Sequence, residues 1–113
     1  MADPSPRLKP VPGSTTGRPI MVLLDLLGRR WALRVVWELR GDPLTSRALR
    51  EACDDVSPTV LQTRISELRD AQIIRHEKAS GYQLTELGRD LLASITPLYA
   101  FADRWARKVA PKP

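Results

Sequence analysis

The sequence predicts a mainly α-helical domain with a minor β component. Three observations carry that prediction. Apolar residues recur at helical spacing in several separate stretches. The one stretch that alternates with period two, residues 74–84, is interrupted by Ala79-Ser80-Gly81 and reads as a short hairpin. A final apolar, helix-spaced run extends from Thr85 almost to the C-terminus.

At 113 residues and 42% hydrophobic content, the chain supports one domain with a modest core. A net charge of +5 and a pI near 10.0 favour a polyanionic partner. Most of the 18 basic residues are Arg, whose planar fork suits phosphate better than Lys does. One cysteine excludes an internal disulfide framework and fits a reducing compartment. No apolar run approaches the ~18 residues that span a bilayer, and no apolar signal core opens the chain, so a cytoplasmic location is expected.

Residues 1–18 lack apolar periodicity and read as a disordered tail. With Arg7, Lys9 and Arg18 it is either a solvated tail or a weak phosphate-binding arm. Residues 20–27 place Ile20, Leu23, Leu24 and Leu27 on one helical face, and Gly28 suits the C′ stop. That helix is more apolar than a small core needs, so part of it is expected to face a second subunit. A second helix, 31–39, turns Trp31, Val35, Val36 and Leu39 inward, with Leu33 and Trp37 on another side. Arg29, Arg30 and Arg34 cluster near its start, where cations oppose the helix dipole and an external anion would help them. Gly41-Asp42-Pro43 makes a turn. Thr45 or Ser46 then caps a short helix to about Cys53, with Leu49 inward, and Asp54-Asp55 form a tight connection.

The next helix, 57–71, begins with Ser57 as N-cap and Pro58 at the first helical position. Val60, Leu61, Ile65 and Leu68 form its apolar stripe. The opposite face carries Thr59, Gln62, Thr63, Ser66 and Arg69, with a single charge among them. Such a face is either an ordinary solvated surface or one that lies close to phosphates and base edges. Two short helices joined by a tight turn, the second bearing this face, form a helix-turn-helix. The hairpin directly after it is then a wing, 74–84, whose Arg75, His76 and Lys78 are placed to reach a nucleic-acid backbone. Thr85 caps the last helical section. Leu87, Leu91, Leu92 and Ile95 form its stripe, Pro97 is expected to kink or restart it, and Leu98, Phe101, Ala102 and Trp105 continue the apolar face. Little core remains for so long a section to cover, so a partner subunit is its natural recipient.

Chemistry for catalysis is not visible. One His and one Cys do not make a zinc site, and no cofactor loop or nucleophile–base pair occurs. Cys53 reads as a buried structural thiol rather than a redox sensor, and His76 as an exposed or partly packed wing residue. Trp31, Trp37, Tyr99, Phe101 and Trp105 serve either core and subunit packing or the lining of an effector cavity.

Four motifs, LDLLGRRWALRVVWEL (24–39), DPLTSRALREA (42–52), VSPTVLQTRISELRDAQII (56–74) and YQLTELGRDLL (82–92), make the chain resemble winged helix-turn-helix transcriptional regulators, most closely the HxlR type, with MarR- and PadR-like relatives. The resemblance covers most of the chain after Arg18. It implies a bacterial regulator that binds palindromic operator DNA as a homodimer, with repression by promoter occlusion as the expected output. It places 57–71 in the major groove, with Ser57, Thr59, Gln62, Thr63 and Ser66 reading bases. Arg30, Arg34, Arg64, Arg69, Arg75, His76 and Lys78 would meet the DNA backbone, although Arg64 has an alternative as a structural ion-pair partner of Glu67 or Glu38. Ile20, Leu23, Leu24, Leu27, Leu98, Phe101 and Trp105 would form the dimer contact, so that residues 19–110 make one winged domain with dimerisation helices at both ends and 111–113 a short tail. No cofactor is implied, and a small-molecule effector is an open partner. Three departures stand out: no cysteine precedes the first helix, the wing is short, and two aspartates occupy the inter-helix turn. The alternative to DNA binding is a winged helix used as a protein-interaction module.

Overall fold

The computed structural model describes residues 6–9 and 17–111. Much of the expected N-terminal tail, and the last two residues, lie outside the described residues. In chain order the elements are α1 (Pro19–Leu27), α2 (Ala32–Glu38), α3 (Ser46–Ala52), α4 (Pro58–Asp70), β1 (Ile74–Glu77), β2 (Gly81–Leu84) and α5 (Glu86–Val109). This is a mainly helical winged helix-turn-helix, as the sequence predicts.

The core lies where α2, α3, α4 and the hairpin meet. Val35 and Val36 of α2 and Leu39 at its C-cap pack with Leu61, Ile65 and Leu68 of α4, all six fully or almost fully buried. Leu49 and Cys53 close one end, and Ile73, Tyr82 and Leu84 the other. Val60 departs from the expected stripe and is exposed. It lies about 100° around the helix from Leu61, outside the arc that Leu61, Ile65 and Leu68 share.

The helix ends show how the turns are built. Trp31 does not start α2 but caps it, in the left-handed region at φ 77°. That conformation costs a bulky residue about 1–2 kcal/mol. The indole packs against the core, which holds it there. Gly28 caps α1 with right-handed φ −76°, so the expected left-handed stop is not used there. Asp54 and Asp55 are both left-handed, at φ 56°. The Asp55 N–H donates back to the Arg50 carbonyl at 3.0 Å, closing the end of α3. Aspartate tolerates this conformation better than most residues, which accounts for the acidic pair. Gln72 likewise ends α4 at φ 62°, with the Ile73 N–H donating to Leu68 at 2.9 Å.

The two strands pair antiparallel, Ile74 with Leu84, Arg75 with Gln83, His76 with Tyr82 and Glu77 with Gly81. Lys78 therefore lies in the turn and not in a strand. Leu44 adds a bridge to Tyr82 through two backbone bonds of 2.9 and 2.7 Å, tying the α2–α3 connection to the wing. Gly81, at φ 105°, permits that approach, because a Cβ there would strike the Leu44 carbonyl. Beyond the wing, α5 runs unbroken through Pro97 and does not restart. The hydrogen bond that Pro97 lacks would have gone to Ala93, an exposed residue whose carbonyl water can satisfy.

Gly88 sits where α5 crosses the end of α4, and a Cβ there would collide with the Ile73 carbonyl. Gly88→Ala is expected to destabilise the domain by about 1–3 kcal/mol in urea unfolding. Gly41→Ala, with nothing within 4 Å of the added atom, should stay within about 0.5 kcal/mol. Equal midpoints for the two variants would contradict this packing.

Candidate nucleic-acid interface

Burial of Leu61, Ile65 and Leu68 fixes the rotation of α4, and its other side follows. Thr59, Gln62, Thr63 and Ser66 are all exposed and, with Pro58, line one open groove. Ser57 caps the helix by accepting the Val60 N–H at 3.2 Å, leaving its hydroxyl proton available outward. The Thr63 hydroxyl donates to the Thr59 carbonyl at 2.9 Å, so Thr63 offers mainly an acceptor and a methyl group. Gln62 Nε2 donates to Ser46 Oγ of α3 at 3.2 Å. Glu67 and Asp70 border the same groove toward the end of α4.

The seven candidate backbone contacts divide into two groups. Arg30, Arg69, Arg75, His76 and Lys78 are exposed. The Arg30 guanidinium lies 5.7 Å from the Trp31 ring centroid, Arg75 pairs with Glu77 beside it, and the His76 ring lies 4.7 Å from that of Tyr82. Arg34 and Arg64 are partly buried and tied to the protein's own acceptors. Arg34 donates to the Ala52 carbonyl at 2.7 Å and pairs with Asp54 at 3.3 Å, so its charge anchors the end of α3. Arg64 lies 3.2 Å from Glu67, whose other oxygen pairs with Arg29, itself bonded to Asp25 of α1 at 2.8 Å. The Asp25 hydrogen bond and then Glu67 keep Arg29 more firmly protonated than an ordinary guanidinium. Of the three arginines near the start of α2, Arg29 and Arg34 are thus paired with the protein's own carboxylates, while Arg30 is exposed beside Trp31.

Sequence reasoning missed the contribution of α3. Ser46, Arg47, Arg50 and Gln62 line a cleft between the two helices of the helix-turn-helix. Arg47 is solvent-exposed, and Arg50 Nε donates to the Val56 carbonyl at 2.9 Å, bracing the turn. The helical spacing of Ser46, Arg47 and Arg50 was the available signal.

The aromatic residues do not converge on a single cavity. Trp37 stacks on Tyr99 at 4.3 Å, with Arg40 4.2 Å over its ring. Trp31 packs on the core, while Phe101 and Trp105 stand exposed on α5. Cys53 is fully buried, and burial pushes its thiol above the ordinary range. Among the described residues, no group of three or more His, Cys, Asp or Glu is placed to hold a metal ion. No helix of the described residues is long and apolar enough to cross a membrane.

Comparison with known proteins matches residues 26–110 to the family described as HxlR-like helix-turn-helix. Quinone-bound YodB from B. subtilis is 30% identical, with a TM-score of 0.69 over 76% of this chain and 97% of that chain. The reduced form of the same regulator is 24% identical, with a TM-score of 0.62 over 81% of this chain and 93% of that one. A possible HxlR family transcriptional factor from Thermoplasma volcanium GSS1 shares the fold at 23% identity, with a TM-score of 0.71 over 90% and 97% of the two chains. No curated protein matches significantly by sequence.

Glu67→Ala would leave the half-buried Arg64 without its carboxylate, and a loss of about 1–3 kcal/mol in unfolding free energy is expected. Arg47→Ala, which removes a solvent-exposed pair with Glu51, should change stability by less than about 1 kcal/mol. If both variants melt like the parent, the network is screened by solvent. Cys53 should react with a thiol reagent far more slowly in the folded protein than in urea, as its burial requires. Comparable rates in the two states would show that the thiol is open.

Proposed function

This chain belongs to the HxlR-like helix-turn-helix family of DNA-binding transcriptional regulators, and we propose that it binds palindromic operator DNA as a homodimer and represses by occluding a promoter. The observation that carries this reading is the outward face of α4, with uncharged hydroxyl and amide groups at its first turns, in a domain that also exposes the cations Arg30, Arg75 and Lys78. A major groove accepts such a helix, and exposed cations suit phosphates.

Dimerisation is supported by apolar surface that the domain does not bury. Ile20 and Leu24 of α1 are more than half exposed, as are Leu98 and Trp105 of α5, Trp105 reaching 58%. Leu87, Leu98, Trp105 and Val109 share one side of α5, next to the side that packs on the core. Monomers rarely leave so much contiguous apolar surface in water. A two-fold contact between copies would cover each copy's α1 and α5 with the same elements of the other. It would set two α4 helices in successive major grooves, about 34 Å apart or a multiple of that. The cytoplasm is where such a regulator meets its DNA. An effector is not required by this reading. The apolar niche of about 310 Å³ lined by Leu33, Arg34, Ile95, Leu98, Tyr99 and Ala102 is the place where one would fit.

Titration of the full chain with a pool of randomised duplex, followed by sequencing of the retained fraction, tests the proposal. A palindromic motif should emerge, and affinity should fall roughly a thousandfold or more between 50 and 200 mM salt if six or more phosphates are contacted. Trp105→Glu should convert a dimer to a monomer in sedimentation and weaken binding to the palindrome about tenfold or more. Weak binding at low salt with no enriched motif would favour a protein-interaction module, and a wild-type monomer in sedimentation would remove the two-fold reading.

A further inference from the structure

We propose that Gln62 reads an adenine in the major groove and that Ser46, on the preceding helix, sets the orientation in which it does so. The inference rests on the reading of α4 as the DNA-facing helix and names one base pair and one positioning residue within it.

The hydroxyl residues of the face discriminate poorly, since Ser and Thr can donate to or accept from any base edge. Two of them are also engaged within the helix: Ser57 accepts the Val60 N–H, and Thr63 gives its proton to the Thr59 carbonyl. Gln62 is different. Its amide carries a donor and an acceptor side by side, the pair that matches N7 and the N6 amino group of adenine. It sits in the second turn of α4, near the helix N-terminus where recognition helices meet bases.

A solvent-exposed glutamine would present that amide in either sense and in many rotamers. Here Nε2 donates to Ser46 Oγ at 3.2 Å, which restricts the rotamers and ties the amide down by its nitrogen end. The amide nitrogen has two hydrogens. Adenine needs the one beside Oε1, while the other, turned back along the side chain, can remain with Ser46. Oε1 is then left to accept from the N6 amino group. Guanine presents only acceptors, N7 and O6, on the same edge, so Oε1 would face a second acceptor and be left unpaired. Ser46 belongs to the first turn of α3, directly after the Thr45 cap, so its position is set by a helix distinct from the one it orients. It accepts from Gln62 and keeps its own proton free for a phosphate or water.

The experiment uses the full chain, the motif enriched from a randomised duplex pool, and matched duplexes in which single A·T pairs are changed to G·C or single adenines to 7-deaza-adenine, which lacks the N7 acceptor. Wild type should require one A·T pair in each half-site and lose about tenfold or more in affinity when that adenine is replaced by either change. Gln62→Ala should abolish the discrimination at that pair alone. Ser46→Ala should reduce the discrimination several-fold, Ser46→Thr should restore it, and Ser46→Ala should add nothing in the Gln62→Ala background. Thermal melting of each variant checks that the fold is kept. A motif whose every position is insensitive to Gln62→Ala, or a Gln62-dependent pair that is G·C, overturns the inference and leaves the regulator reading intact. A Ser46→Ala effect equally large without Gln62 overturns the positioning role. If wild type enriches no motif and its binding is indifferent to salt, the DNA reading falls and the inference with it.

Discussion

The seating of α4 on α2 is the contact on which the rest depends. Leu61, Ile65 and Leu68 meet Val35, Val36 and Leu39 in a dry core. Burial of side chains of this size stabilises by roughly 1.5–3 kcal/mol each relative to exposure. Rotation of α4 by one residue, about 100°, would bring Gln62 and Ser66 inward and expose Leu61 and Ile65. The polar face is therefore outward because the apolar stripe has only one place to go. Ser57, which caps the helix, and Gln72, which ends it in the left-handed region, fix its limits at either side of that stripe.

Charge then refines what packing has placed. Asp25, Arg29, Glu67 and Arg64 form a chain of ion pairs from α1 to α4. Arg64 Nε and Glu67 Oε1 are buried without a hydrogen bond, although Arg64 Nη1 lies 3.2 Å from that oxygen. The contact is close but poorly aligned, so its contribution to net stability is small even though losing one partner is expensive. Its clearer effect is geometric: it links α1, which leaves Ile20 and Leu24 exposed, to the helix with the polar face.

Much of this was legible in the sequence, and the particular residues show why. Ser57-Pro58 before a helical stripe marks α4, and Ala79-Ser80-Gly81 between alternating residues marks the wing. Each is local, so a short window holds all the information. What escaped is long-range. Arg34 looks like a free cation in the sequence, and only the fold brings Asp54 and the Ala52 carbonyl to it, whereas the Arg64–Glu67 pair is one helical turn apart and could be anticipated. The Gln62–Ser46 bond spans sixteen positions and crosses a turn. Trp31 gives no sign of its left-handed backbone, because the packing that holds it comes from other elements. Pro97 does not restart the helix, because the carbonyl left without its hydrogen bond belongs to the exposed Ala93, which a sequence alone does not reveal.

Thr85 shows how one small side chain joins the two ends of the fold. Its hydroxyl donates to the Gln72 carbonyl at 2.7 Å, with the Ile73 carbonyl also within 3.1 Å, and its oxygen accepts the Gly88 N–H at 2.9 Å. The same atom therefore ends α4, meets the start of β1 and begins α5. Gly88 lets α5 press against the Ile73 carbonyl at that junction, where any side chain would hold it away. The direction in which α5 leaves the domain is thus set by the residues that end α4. Because the exposed apolar side of α5 lies beyond this junction, whatever surface covers it is placed in a fixed relation to the polar face of α4, without needing any contact to that face.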